Sequence, residues 1–162
     1  MSDLFPQVEI RRARSEEADA AFCLVQEYFA AVSVVAREDR RKFIEEYFGD
    51  GRGFWLARVG NELAGCVALR NLSFEGKPAD EEAKCAEIKR MYLREKFRGR
   101  RIAQKLLEAA EEFARSAGYT WIYLDTTDEM KAAAKLYERS GYERCERYNQ
   151  NPQATIFMRK QL

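Results

Sequence analysis

Cys85-Ala-Glu-Ile-Lys-Arg-Met-Tyr-Leu93 and Phe97-Arg-Gly-Arg-Arg-Ile-Ala103 are the two runs whose reading decides the fold. The first has the make-up of a β-strand. The second lies between it and a helical pattern over residues 104–117. A strand, a tight basic turn and a helix N-terminus make a phosphate-holding arrangement. The first N–H groups of a helix have no intrahelical acceptor, and the aligned peptide dipoles place partial positive charge there. Gly99 lets the backbone come close to a ligand. From Lys89 to Lys105 there are eight basic residues against one acid, Glu95, while the whole chain carries only +1. Positive charge is therefore concentrated where the backbone amides converge. A solvated basic loop has the same composition, and charge alone does not separate the two readings.

The chain has 162 residues, enough for one domain with a real core and too few for two typical ones, so residues 1–162 are read as a single domain. An apolar fraction of 46% with 12% aromatics argues against disorder. A net charge near zero argues against nucleic acid as the main partner. The start, Met-Ser-Asp-Leu-Phe-Pro, has no charged region followed by an apolar stretch, and no apolar run approaches the ~20 residues of a membrane span. Cys23, Cys66, Cys85 and Cys145 form no C-x-x-C pair and read as small buried hydrophobes in a reducing cytoplasm. The chain contains no histidine. That removes Ser-His-Asp and Cys-His triads and His-assisted zinc sites, and no metal is expected. Any general base must be Asp, Glu, Tyr, Cys, Lys or a relayed water.

Around the phosphate turn the pattern alternates between strand and helix. Residues 8–12 are a strand candidate, followed by Ser15 as an N-cap with Glu16 and Glu17 in the first turn. Ala18, Phe22, Val25 and Phe29 then recur at helical spacing, with Ala21, Leu24 and Tyr28 beside them. A second helix spans about residues 37–48 and stops at Gly49. Strands over 53–59 and 63–70 are joined across Gly60-Asn61, a two-residue hairpin signal. Residues 71–84 are polar and acidic and read as an exposed loop. The helix after the phosphate turn is expected to bury Leu106, Ala110, Phe113 and Ala117 and to stop at Gly118. Residues 121–124 form a short apolar strand. Asp128 is placed to cap a helix carrying Ala133, Leu136 and Tyr137, with Gly141 just past its end. A final hairpin pairs 142–148 with 155–160. This order predicts an α/β (α+β) domain with a mixed sheet flanked by helices.

The strand at 85–93 carries Glu87, Lys89 and Arg90 where an interior strand is normally apolar. Buried unpaired charge is costly, so these residues either pair with one another or face a cleft. In the second case Lys89 and Arg90, with Arg70 at the end of the preceding strand, are suited to grip an anionic group on a substrate. Tyr92, Tyr123 and Tyr148 lie in strand-like runs, where aromatics are mostly core residues.

The run Glu87-Ile-Lys-Arg-Met-Tyr-Leu93, then Arg98-Gly-Arg-Arg-Ile-Ala103, then a helix, resembles the acetyl-CoA-binding core of the GNAT acetyltransferases. Leu136-Tyr-Glu-Arg-Ser-Gly-Tyr142 resembles the second signature of that family. The tail Arg147-Tyr-Asn-Gln-Asn-Pro152 with Phe157-Met158 is similar to the end of a bacterial, small-molecule-type subgroup. The resemblance covers roughly residues 8–162 and is sharpest from Leu63 onward. It implies a GNAT fold with a sheet of about seven strands and about four helices, whose central strands, here 87–93 and 121–125, splay apart. It implies acetyl-CoA as co-substrate and a small-molecule amine or peptide as acceptor, and it leaves room for a homodimer.

Carried over residue by residue, the resemblance assigns the cofactor to the main chain of Met91, Tyr92 and Leu93 and to Arg98, Gly99, Arg100, Arg101, Ile102 and Ala103. Tyr137 takes the role of acid to the leaving thiolate, help worth ~10²–10⁴-fold. Glu87 is placed near the acceptor amine, as the base that deprotonates it, usually through water, or as a ligand of its ammonium. Tyr148 becomes a wall of the acceptor pocket. Two positions depart from the pattern. Arg101 stands where the family's phosphate loop has its middle glycine. A left-handed backbone would cost an arginine roughly 1–2 kcal/mol there, so Arg101 is expected to be helical already. Met130 stands seven residues before Tyr137, where many relatives have a cofactor-contacting asparagine, and that contact is not carried over.

Two function classes follow: an N-acetyltransferase working by direct attack of an amine, and a CoA-binding sensor or scaffold without turnover. A phosphate-loop nucleotide enzyme is excluded, because no Gly-Lys-Ser/Thr ending is present.

Overall fold

The computed structural model describes residues 6–33, 38–73 and 83–162. Among the described residues there are seven strands, β1 (Val8–Arg12), β2 (Gly53–Val59), β3 (Glu62–Leu72), β4 (Cys85–Leu93), β5 (Trp121–Thr126), β6 (Glu143–Arg144) and β7 (Ile156–Gln161). The α-helices are α1 (Ala18–Ala31), α2 (Arg40–Tyr47), α3 (Ile102–Ser116) and α4 (Lys131–Arg139). The strands form one mixed sheet in the order β1-β2-β3-β4-β5-β7-β6. β4 pairs with β5 in parallel, and β1–β2, β2–β3, β5–β7 and β6–β7 are antiparallel. The expected loop at 71–84 is shorter at its start, since β3 runs through Leu72. Most of it, 74–82, lies outside the described residues, as does the start of the second helix expected at 37.

The chain divides into two compact units, the first made of Met1–Arg70 with Lys89–Ala110 in its described parts. Its core gathers Ala21, Leu24 and Val25 of α1, Phe43 and Tyr47 of α2, Phe54 and Leu56 of β2, and Cys66 and Ala68 of β3. The helical spacing of the α1 residues and the i, i+4 pair Phe43/Tyr47 put these side chains on single faces. Fully burying each large one contributes about 1.5–3 kcal/mol. The Phe43 ring meets those of Phe54 at 5.2 Å and Phe22 at 5.5 Å. Asp39 caps α2 by accepting from the Lys42 N–H. Ser15 does not cap α1: it opens a short 3-10 turn, and the Glu17 carboxylate accepts from the Arg14 N–H instead. The reason is Arg11, whose guanidinium holds Glu17 through two bonds of 2.6 and 2.5 Å and fixes the carboxylate over that turn. Gly65 of β3 is a close approach, since a Cβ there would stand 2.3 Å from the Tyr92 carbonyl oxygen of β4.

The second unit is made of Asn71–Ile88 and Glu111–Leu162 in its described parts. β5 pairs with β7 from Trp121↔Gln161 to Thr126↔Ile156, and the registered pairs of β4 with β5 run from Cys85↔Trp121 to Glu87↔Tyr123. The buried face of α3 differs from the expected one. Ile102, Leu106, Leu107, Ala110, Glu111 and Ala114 are buried, and Phe113 and Ala117 are half-buried. Asp128 does not cap α4, because its carboxylate accepts from the Thr155 hydroxyl and its N–H donates to that same oxygen. α4 ends as expected at Gly141 (φ +90°), with Gly141 N–H to Glu138 O and Tyr142 N–H to Tyr137 O. The final hairpin is cut to Glu143–Arg144 against β7. Beyond it Arg147 donates to the carbonyls of Asn151 and Ala154, and Asn149 and Asn151 donate to Asp125, so side chains rather than a ladder hold 147–154. Of the four cysteines, Cys66 and Cys85 are buried as expected, but Cys145 is intermediate and Cys23, on the outer face of α1, is exposed.

Candidate active site

The turn after β4 is pinned before it reaches the glycine. Arg94 donates its N–H to Ala64 O at 2.9 Å and its side chain to Leu63 O at 2.7 Å and Glu27 at 2.8 Å. Lys96 pairs with Glu62. From that anchored base Gly99 turns left-handed (φ +80°), with open space where a Cβ would project. Arg101 is left-handed as well (φ +59°), which corrects the expectation that it is already helical. The helix starts one residue later, at Ile102, and its first bond runs from Lys105 N–H to Arg101 O. Reversed backbone at 99 and 101 turns successive amides out of the chain's own bonding, a geometry that binds anions. An arginine held there against its preference stores local strain, a mark of functional turns. Arg98, Arg100 and Arg101 are exposed, Ile102 is buried and Ala103 is half-buried. These residues suit the phosphates of a CoA.

On β4, Tyr92 packs its ring against Tyr28 at 5.9 Å, and Arg94 N–H is spent on β3. Amides alternate in direction along a strand, so the Leu93 and Met91 N–H groups point away from β3. Those are the amides suited to an acyl oxygen.

Arg90 breaks the strand with a left-handed backbone (φ +55°). Its guanidinium lies over the rings of Phe29 at 4.8 Å and Tyr47 at 5.9 Å, and it donates to Glu38 through Nε at 3.3 Å and Nη2 at 3.2 Å. Burial raises the Glu38 carboxyl above its ordinary range, with Arg90 opposing the shift. Arg70 pairs with Glu46 at 3.0 Å, and Lys89 is half-buried on β4.

In the second unit Glu87 is 1% exposed on β4. Tyr148 is half-buried, its ring 5.1 Å from Tyr123 and 5.6 Å from Phe157. Burial, then the neighbouring carboxylates of Glu87 and Asp125, pushes its phenol far above the usual value. Tyr137 lies on the buried face of α4, its ring edge-on to Tyr142 at 5.9 Å. Met130 occupies the N-cap of α4 and makes no side-chain cap bond. The structure thus groups Glu87 with Tyr148 in one unit, and Arg70 and Arg90 in the other.

Sequence reasoning missed Tyr47 and Glu38. Tyr47 was legible only as an apolar-face residue four after Phe43, and nothing local signals that its hydroxyl would be sealed inside.

Residues 18–142 match the model of the acetyltransferase (GNAT) family, and the chain belongs to that family. The N-acetyltransferase YsnE of Bacillus subtilis is 32% identical over 124 residues, 74% of this chain and 76% of that protein. The N-acetylaspartate synthetase of Mus musculus is 37% identical over 101 residues, 61% of this chain. The chain spans 31% of the length of that synthetase and 62% of the Escherichia coli N-acetyltransferase YjgM. Among solved structures, a GNAT acetyltransferase of Staphylococcus aureus MU50 has a TM-score of 0.77 at 17% identity, covering 96% of this chain and 99% of that one, which shows a shared fold. Among the described residues, no helix is long and apolar enough to cross a membrane.

Proposed function

We propose that residues 1–162 act as one acetyltransferase domain that moves an acetyl group from acetyl-CoA to a primary amine by direct attack. The observation that carries this reading is the anchored turn in front of α3, where Gly99 and Arg101 are both left-handed. The turn at 98–103 holds the phosphates, with backbone amides doing most of the binding and the arginines adding charge-assisted bonds worth about 1.5–3 kcal/mol each. The co-substrate supplies an acyl group already activated as a thioester. The Leu93 and Met91 amides polarise its carbonyl. Glu87 receives the proton of the amine, directly or through water, as its nitrogen bonds to the acyl carbon. The carbon–sulfur bond breaks, and Tyr137 donates a proton to the departing thiolate. The likeness to a protein named N-acetylaspartate synthetase supports an amine of the amino-acid kind as acceptor.

Calorimetric titration with acetyl-CoA tests the turn. The wild-type chain should bind at micromolar to sub-millimolar concentration, and Gly99→Glu should abolish binding while the fold persists. CoA at ~100 times its dissociation constant should add about 2.7 kcal/mol of stability in thermal melts. Thiol release across an amine panel then separates enzyme from sensor. Normal CoA binding with no turnover on any amine makes the chain a sensor, and unchanged affinity in Gly99→Glu removes the turn from the site.

A further inference from the structure

Arg90 and Tyr47 present more hydrogen-bonding capacity than their surroundings use. A guanidinium carries five N–H donors in a planar fork. Those of Arg90 make two bonds, through Nε and Nη2, and both go to the same oxygen of Glu38. The edge formed by Nη1 and Nη2 has no acceptor among the described residues, although the side chain is only 18% exposed. Tyr47 beside it is fully buried, and its hydroxyl has no hydrogen-bond partner among the described residues. Buried donors left unpaired are costly and uncommon, and an unsatisfied one points to a missing ligand group. The backbone under Arg90 is itself strained into the left-handed region, so the side chain is aimed there at a cost. Phe29 and Tyr47 wall the guanidinium with aromatic faces, which strengthens a charge-assisted bond by excluding water.

We infer that the acceptor amine carries a carboxylate, and that the free edge of Arg90 and the Tyr47 hydroxyl bind it. A carboxylate fits because two parallel N–H bonds match its two oxygens, and one oxygen retains a lone pair for a phenol donor. Glu38 holds the other edge, through Nε and Nη2. Arg70, resting on Glu46 at 3.0 Å, adds a second cation to the same region. The assignment rests on the acetyltransferase reading only for calling this ligand the acceptor. The carboxylate site itself stands on the geometry.

The test compares L-amino acids and dipeptides with their C-terminal amides, by thiol release with saturating acetyl-CoA and by calorimetry on the CoA-loaded chain. The acids should show KM values at least 100-fold below those of the amides. Tyr47→Phe removes one hydroxyl, and Arg90→Lys keeps the charge but loses the fork. Each should raise the KM of the acid at least tenfold and shrink the acid-to-amide ratio, leaving the KM for acetyl-CoA unchanged. Acids that bind with this dependence but never turn over support the carboxylate site and overturn the transferase reading. Acids and amides used equally, a ratio unmoved in both variants, or no acid bound at all overturns the inference.

Discussion

The Tyr142 hydroxyl donates to the buried Glu111 carboxylate at 3.0 Å, joining the turn just past α4 to α3. Lys160 of β7 donates to the other carboxylate oxygen at 2.9 Å, and Arg115 lies 3.7 Å away. Burial and this carboxylate together push the Tyr142 phenol far above its ordinary pKa, so it remains a donor at any working pH. Tyr142 in turn backs the ring of Tyr137. The proposed acid therefore packs against a ring whose hydroxyl is held by an ion pair.

Removing that carboxylate should be severe. Glu111→Ala strands the Lys160 ammonium and the Tyr142 hydroxyl, and the expected loss is about 3 kcal/mol. Tyr142→Phe removes one hydrogen bond and should cost about 1 kcal/mol. Urea unfolding of the two variants checks the order, and equal midpoints would show that Glu111 is solvated.

At the 98–103 turn the handedness of Arg101 can be probed directly. Arg101→Gly relieves the left-handed strain of roughly 1–2 kcal/mol but loosens the unfolded chain, so stability should hold or rise slightly. Arg101→Val places a β-branched residue where it fits worst, and both stability and CoA affinity should fall. Paired melting and CoA titration measure this. Equal behaviour of the two variants would mean that the turn tolerates either hand.

The proposed catalytic roles separate by variant. Tyr137→Phe keeps the ring against Tyr142 and removes only the donor, so turnover should drop ~10²-fold with CoA affinity nearly unchanged. Glu87→Gln should move the rate profile to higher pH, because the amine must then lose its proton unaided. Full activity of Tyr137→Phe on a verified acceptor would assign the acid to water or another group.

Acid stability has a distinct source in Glu17. The bidentate Arg11 guanidinium holds its carboxyl down at about 2, below the ordinary 4.5. A folded value below the unfolded one means that its stabilisation is complete above the unfolded value. It is then lost as pH falls from about 5 to about 2. Wild type should therefore lose stability more steeply than Glu17→Gln through that window, in chemical unfolding at a series of pH values. Parallel curves would show that the pair contributes nothing.

Much of the architecture is written in local chemistry. Gly60-Asn61 declares its hairpin, and Gly141 ends α4 with the bonds its left-handed turn allows. The turn at 98–103 was legible because a strand, a glycine and a helix start are adjacent in the chain. Caps were less so. Ser15 and Asp128 have the right chemistry at the right places, yet Glu17, held by Arg11, serves the first turn, and Thr155, 27 residues away, holds Asp128. Glu111 sits in the apolar stripe of α3 beside Ala110 and Ala114, and only its distant partners make it a buried anchor.

By itself the sequence determined the order of strands and helices, the basic turn at 97–103 and the tyrosine-bearing helix before Gly141. Periodicity, turn residues and helix ends act over a few positions, so they are readable wherever the chain goes. Tertiary structure alone decided that Arg101 is left-handed, that Arg90 meets a carboxylate 52 residues away, and that Tyr47 loses water from its hydroxyl. Each depends on which segments are packed together. Backbone strain and buried charge take their energies from that surrounding protein, not from neighbours in sequence.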